Sequence, residues 1–301
     1  LTRRHIRIKV MQSVYSFTVG KQFKIDNEVK FFRESVEYTF NLYILLLGLI
    51  KSLHAYAEQQ LEIIQKHNIQ DETHFIILQK FSQNRVLLFI KNHKSLSKHL
   101  NNIKLINWDL EFKYMKELFE LVTSSAIFKA YMTLDNIKIG DDLKLVSKIF
   151  KDHIATSNYL YDHIEDQRLT WIDDLPMVNT FILKMLKKIE VNKPKSLIFP
   201  EPNENQEDTD FGLQLLEKVI VNDEKLQKEL LGKTPNWDAD RIAQIDNVIL
   251  KIAIAELLFF PLIPPKVTLN EYLEIAKDYS TPNSNNFVNG VLDKLVKEFS
   301  Q

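Results

Sequence analysis

A chain of 301 residues, 45% hydrophobic and 26% charged, has enough apolar mass for one large or two ordinary domains, which excludes a disordered, collagenous or minimal scaffold. A net charge of −1 argues against a uniformly basic nucleic-acid binder, and the 6 glycines form no G-x-G-x-x-G turn or Walker loop, which argues against a nucleotide-cradling enzyme. Without cysteine there are no disulfides, thiolate metal sites or cysteine nucleophiles, and a reducing, cytoplasmic location is expected.

Low glycine content and apolar spacings of three and four predict helix throughout, with no run of strict alternation, so the class is all-α. The first helix is expected over 2–19, where Val10, Val14 and Phe17 form a stripe with Met11 and Tyr15 beside it and Gly20 ends the pattern. Arg3, Arg4, Arg7 and Lys9 precede no apolar h-region, so a signal peptide is not expected here. Further helices are predicted at 28–65, with one break, and at 71–80, 86–99, 109–133, 141–165 and 175–189. The apolar stretches 44–50 and 252–260 are too short for a bilayer, and no membrane association is expected. Across 193–206 the periodicity gives way to proline and acidic residues, which marks a linker. Helices follow at 211–231, 239–260, 269–279 and 284–299, the third opened by Thr268 and Glu271 as a capping box.

The region 142–184 resembles 210–251 in order: Asp142-Leu143 with Asp210-Phe211, Asn158 with Asn222, Trp171-Ile172-Asp173-Asp174 with Trp237-Asp238-Ala239-Asp240, and Ile182-Leu183-Lys184 with Ile249-Leu250-Lys251. A diverged duplication and the chance alignment of amphipathic helices both account for it.

Two clusters carry the binding chemistry. Arg3 and Arg7 are four apart and Arg4 and Arg7 three apart, so a helical start puts the guanidiniums on one face, flanked by His5 and Lys9. Cations at a helix N-terminus oppose the macrodipole by about 0.3–1 kcal/mol each, and a phosphate would compensate them. A solvated basic terminus is the other reading. Near the C-terminus, Asn283, Ser284, Asn289 and Gly290 surround Phe287 at a helix start, a set suited to base edges, stacking and close backbone approach. The same residues also read as a Ser284 cap, a core Phe287 and a Gly290 helix crossing. Histidines 54, 67, 74, 93, 99, 153 and 163 have no metal-ligand spacing and are expected at the surface; no metal or other cofactor is implied. Asp141-Asp142 and Asp173-Asp174 suit helix starts, whereas Asp246 and Glu256, on a very apolar helix, must be paired or face a partner.

The two ends of the chain, taken together, resemble the NusB family of transcription antitermination factors. The similarity is carried by Arg3-Arg4-His5-Ile6-Arg7 and Val10 to Tyr15, then by Asp246 to Leu257, Ile263-Pro264-Pro265-Lys266-Val267, Asn270-Glu271, Ala276-Lys277 and Phe287 to Asp293. It implies a NusB-like helical bundle at 1–20 and 207–301, interrupted after the first helix by a helical insert at 21–192, with 193–206 as linker. It further implies a binding protein for boxA RNA of ribosomal RNA transcripts, acting with the ribosomal protein that serves as NusE in an elongation complex with other Nus factors. Arg3, Arg4, Arg7 and Lys9 would contact RNA beside Asn283, Ser284, Phe287, Asn289 and Gly290, and Tyr15 and Asp246 would meet the protein partner. A ribosomal RNA cytosine methyltransferase, which can carry a similar domain, is disfavoured by the missing cysteine and glycine-rich loop. A helical protein–protein scaffold that has lost RNA binding is the alternative.

Overall fold

The computed structural model describes residues 1–20, 24–103, 105–199, 206–233 and 243–299, and every regular element among them is helical. In chain order the helices are α1 (Arg3–Val19), α2 (Ile25–His67), α3 (Glu72–Ser82), α4 (Arg85–Lys91), α5 (Lys94–Asn102), α6 (Phe112–Ser124), α7 (Ala126–Met132), α8 (Ile139–Ile149), α9 (Asn158–Gln167) and α10 (Thr170–Leu186). They continue with α11 (Gln206–Val221), α12 (Asp223–Lys233), α13 (Gln244–Phe259), α14 (Pro265–Tyr279) and α15 (Pro282–Phe299). Residues 1–37 with 201–301 form one compact unit and residues 38–200 the other, so the first division falls inside α2 rather than at residue 20. Within the expected linker, Pro194–Ser196 forms a 3-10 turn, and 200–205 lie outside the described residues.

The expected break in α2 does not occur. Its apolar period holds to His67, and the helix closes at Asn68, whose φ of 49° is the left-handed cap conformation asparagine tolerates. The amides of Asn68 and Ile69 then bond back to the carbonyls of Gln65 and Ile64 at 3.4 and 3.1 Å. By length and composition α2 could cross a membrane, but 67% of its most apolar window is buried inside the protein. Three other predicted helices are subdivided instead, where His93, Ser125 and Ser157 each accept a backbone amide at a helix start, as Asn84 does at the predicted boundary before α4. A π-helical turn at Phe150–Ile154 follows α8.

The core of the second unit is built on Leu42–Leu53 of α2. The indoles of Trp108 and Trp171 donate to the carbonyls of Leu45 and Tyr38 at 2.8 and 2.7 Å, which lets two large buried rings keep their polar atoms satisfied. Asp142 and Asp174 are buried here for structural reasons: Arg85 and Tyr131 bond the first at 2.6 and 2.5 Å, and Thr39 bonds the second at 2.8 Å. His54 corrects the expectation of surface histidines, since it is fully buried with Nε2 2.8 Å from the Ser82 carbonyl, and burial lowers its pKa. The two segments of the suggested duplication lie on α8, α9 and α10 and on α11, α12 and α13, with Trp237 to Asp240 outside the described residues.

In the first unit α13 is central, packed by α1, α11, α12, α14 and α15 and buried continuously from Val248 to Leu257. Ile6, Val10, Met11 and Val14 of α1 and Phe32 of α2 join this core. Gly212 lets α11 approach: a Cβ there would lie 2.4 Å from the Phe32 ring and 2.6 Å from Ile6. Gly212→Ala should therefore cost about 1–2 kcal/mol, overpacking outweighing the helix-propensity gain. At Gly290 of α15 a Cβ meets nothing within 4 Å, so Gly290→Ala should gain about 0.5–1 kcal/mol. Urea unfolding of both variants checks the opposite signs.

Candidate functional site

The N-terminal turns of α1 carry three arginines, and each meets acid supplied by a different helix. Thr2 caps α1, accepting the His5 amide at 3.4 Å, and no acidic residue in the first turn balances the cations. Arg3 bonds Asp208 at 2.8 Å and Glu207 at 3.1 Å on α11. Arg4 makes a two-point pair with Glu271 of α14, at 2.9 and 3.1 Å, and Glu274 and Asp278 on the same helix also favour its charge.

Arg7 points inward. Its guanidinium donates to both oxygens of Glu256 on α13 at 2.7 and 2.8 Å, and the side chains are 2% and 0% exposed. Thr268 adds a third hydrogen bond to Glu256 at 2.7 Å and Tyr272 a fourth at 2.9 Å, so each carboxylate oxygen accepts two. Burial opposes the Arg7 charge, but the bond to Glu256, with help from Tyr272 and Glu271, more than offsets it. The rings of Phe211 and Tyr272 lie 5.3 and 5.9 Å from the guanidinium carbon, adding cation–π attraction. Tyr272, buried beside Glu256, has its phenol pKa pushed far up and stays a donor. The Arg4 bond lowers the Glu271 pKa against the opposing effect of burial.

This network corrects several expectations. Thr268 and Glu271 do not form a capping box: α14 starts earlier, at Pro265, a position where proline's missing amide costs nothing, and both side chains serve the arginines. Arg7 and Lys9 do not present charge to a ligand, being 2% and 1% exposed. Asp246 is also buried and accepts the Ser280 hydroxyl, tying the start of α13 to the end of α14 instead of facing a partner. Phe287 belongs to the core, which removes it as a stacking ring. At the start of α15 Thr281, not Ser284, receives the cap bond, from the Ser284 amide at 3.2 Å. Ser284 is half-buried, Asn289 and Gly290 are exposed, and the side chain of Asn283 lies outside the described residues. Tyr15 is 40% exposed on α1. What remains accessible of the basic cluster is Arg3 and Arg4, with side chains 43% and 40% exposed. Among the described residues no cluster of histidine and acid has metal-binding geometry.

The NusB family model matches residues 179–297. This part of the chain is a NusB family domain. The transcription antitermination protein NusB of Chloroherpeton thalassium is 39% identical over 114 residues, 38% of this chain and 54% of the relative. That of Methylacidiphilum infernorum is 39% identical over 94 residues, 31% of this chain and 66% of the relative. The Salinibacter ruber NusB is 40% identical over 94 residues, 31% and 59% of the two chains. The chain thus spans between about half and two thirds of the length of these relatives. No solved structure matches it. The family match includes Glu256, Thr268, Glu271 and Tyr272 but leaves out α1, whose arginines they bind.

Removing one partner of a buried, fully bonded pair strands the other, so Arg7→Ala should cost about 3–5 kcal/mol in a denaturant titration, against about 0–1 kcal/mol for Arg3→Ala. His5 offers a pH test. Burial, reinforced by positive charge from Lys9 and Arg4, lowers its pKa from 6.5 to about 4. Because the unfolded chain takes up this proton first, the His5 contribution is complete above pH 6.5 and declines as pH falls toward 4. Discounted for partial exposure, the loss is about 1–2 kcal/mol, and His5→Gln should flatten the stability profile across that window.

Proposed function

We propose that this chain is a cytoplasmic transcription antitermination factor of the NusB type, which binds boxA-type single-stranded RNA of ribosomal RNA transcripts together with the ribosomal protein acting as NusE, in an elongation complex with other Nus factors. Its act is binding, not catalysis. The reading is carried by one observation: a NusB family domain supplies the acids that fix an arginine-bearing helix, leaving Arg3 and Arg4 half-exposed over α11 and α14. Exposed arginine–carboxylate pairs contribute only about 0–1 kcal/mol, so exchanging Glu207, Asp208 or Glu271 for a phosphate costs little. Arg7 and Lys9 act from within the core, Arg7 by setting the position of α1, and RNA is met by Arg3 and Arg4 with Asn283, Ser284, Asn289 and Gly290 as the polar contacts of α15. Exposed Tyr15 is the candidate contact for the protein partner, whereas buried Asp246 positions α13. The scaffold reading has one observation in its favour, that all three arginines already have acidic partners.

Fluorescence anisotropy with a labelled boxA RNA, with and without the ribosomal protein and at two salt concentrations, tests this. The intact chain should bind more tightly with the partner present. Arg3→Ala/Arg4→Ala should weaken binding at least tenfold and lower the salt slope by about 1.4, since each lost single-strand phosphate contact removes about 0.7. No RNA binding at low salt under either condition would leave the scaffold reading in its place.

A further inference from the structure

The second unit holds a concentration of positive charge that the arginine site does not use. No acidic residue occurs between Glu72 and Asp109, and between Asp174 and Glu201 the one acid, Glu190, is taken by Lys193 at 2.6 Å. The fold brings these two acid-poor stretches together. His93, at the start of α5, lies with Nε2 3.0 Å from the Pro194 carbonyl, and the Phe199 ring packs 5.2 Å from His93 and 5.3 Å from His99. Ser196 bonds both the amide and the carbonyl of Glu190, at 2.9 and 3.0 Å, which closes the loop after α10.

Lys94 and Lys98 on α5, Lys187 and Lys188 beyond the last turn of α10, and Lys195 in the closed loop are all exposed, and none has an ion-pair partner among the described residues. Lysines favour the negative end of a helix, which accounts for Lys187 and Lys188 but not for Lys94, the first residue of α5, where the macrodipole opposes a cation. Beside them stand two exposed apolar side chains, Phe181 at 40% and Ile198 at 47%, both steadied by Tyr43: its ring packs 5.5 Å from Phe181 and its hydroxyl donates to the Ile198 carbonyl at 2.6 Å. Exposed, unpaired ammonium groups around a fixed aromatic suit a flexible chain of phosphates with unpaired bases.

We infer that this face of the second unit is a separate, sequence-independent contact for single-stranded RNA, with Lys94, Lys98, Lys187, Lys188 and Lys195 taking phosphates and Phe181 offering a stacking surface. It rests on the proposed function only for the choice of RNA among polyanions. The test uses the full chain, a labelled unstructured 30-nucleotide RNA of scrambled sequence, and a variant with all five lysines changed to Gln. At about 100 mM salt the variant should bind at least tenfold more weakly, with a salt slope lower by up to about 3.5, while five Lys→Arg changes retain binding. An unchanged affinity in a variant whose thermal melt shows it folded overturns the inference, as does failure of the intact chain to bind scrambled RNA at low salt. Vesicles with 30% anionic lipid form a further arm, in which lysine-dependent vesicle binding with RNA binding unaffected would assign the face to membranes and also overturn it. Lysine-dependent binding of scrambled RNA with no preference for boxA would support this inference while refuting the proposed function.

Discussion

The first unit depends on the ion pair between Arg7 and Glu256, 249 residues apart in sequence. An apolar stripe holds a helix against a core but permits small rotations and slips, because one branched side chain substitutes well for another. Four hydrogen bonds converging on one carboxylate permit neither. The pair adds little net stability over apolar residues of similar shape, since desolvating both charges consumes most of their attraction. What it supplies is orientation. With Arg7 fixed on α13, Arg3 one turn earlier falls over α11 and Arg4 over α14.

Much of this was legible from the residues. The spacing of Val10, Val14 and their neighbours located α1, and the apolar pattern of 239–260 located the helix observed as α13, on which Glu256 had to be paired or face a partner. The partner was not legible, because a contact across 249 residues leaves no local trace. The burial of Arg7 did have a signal: Arg7, Val10 and Val14 follow the three-and-four spacing of the buried stripe, and Ile6, Lys9 and Ser13 follow it alongside. Shared spacing among the arginines indicated a common face without indicating which one. Thr268 and Glu271 misled for a related reason, since three residues apart at a helix start suits a capping box, and only the tertiary position of Arg4 and Arg7 recruits both side chains elsewhere.

Subdivision of the long predicted helices has a local cause that periodicity alone obscures. His93, Ser125 and Ser157 each turn a side-chain acceptor onto the new helix start, while the apolar pattern runs on across the corner because both helices bury into the same core. In α2 the opposite holds. Phe32 and Val36 belong to the core of the first unit and residues from Leu42 onward to that of the second, and nothing in the apolar period marks the change.

The two units handle positive charge in different ways, which a net charge of −1 conceals. Around α1 every arginine is neutralised by acid from α11, α13 or α14, so ligand binding there must be an exchange, cheap at Arg3 and Arg4 where water already screens the pairs and prohibitive at Arg7 where none does. Exchange favours ligands whose geometry improves on the carboxylate, and so favours selectivity over attraction. Among the described residues Lys94 and Lys98 on α5 and Lys187, Lys188 and Lys195 beyond α10 carry no such partners, and their field extends into solvent over about a Debye length. Such charge attracts any flexible polyanion and discriminates little. On the proposed function and the proposed lysine contact together, the open lysines would capture RNA at low specificity, and selection among sequences would stay with the arginines whose charge is already balanced.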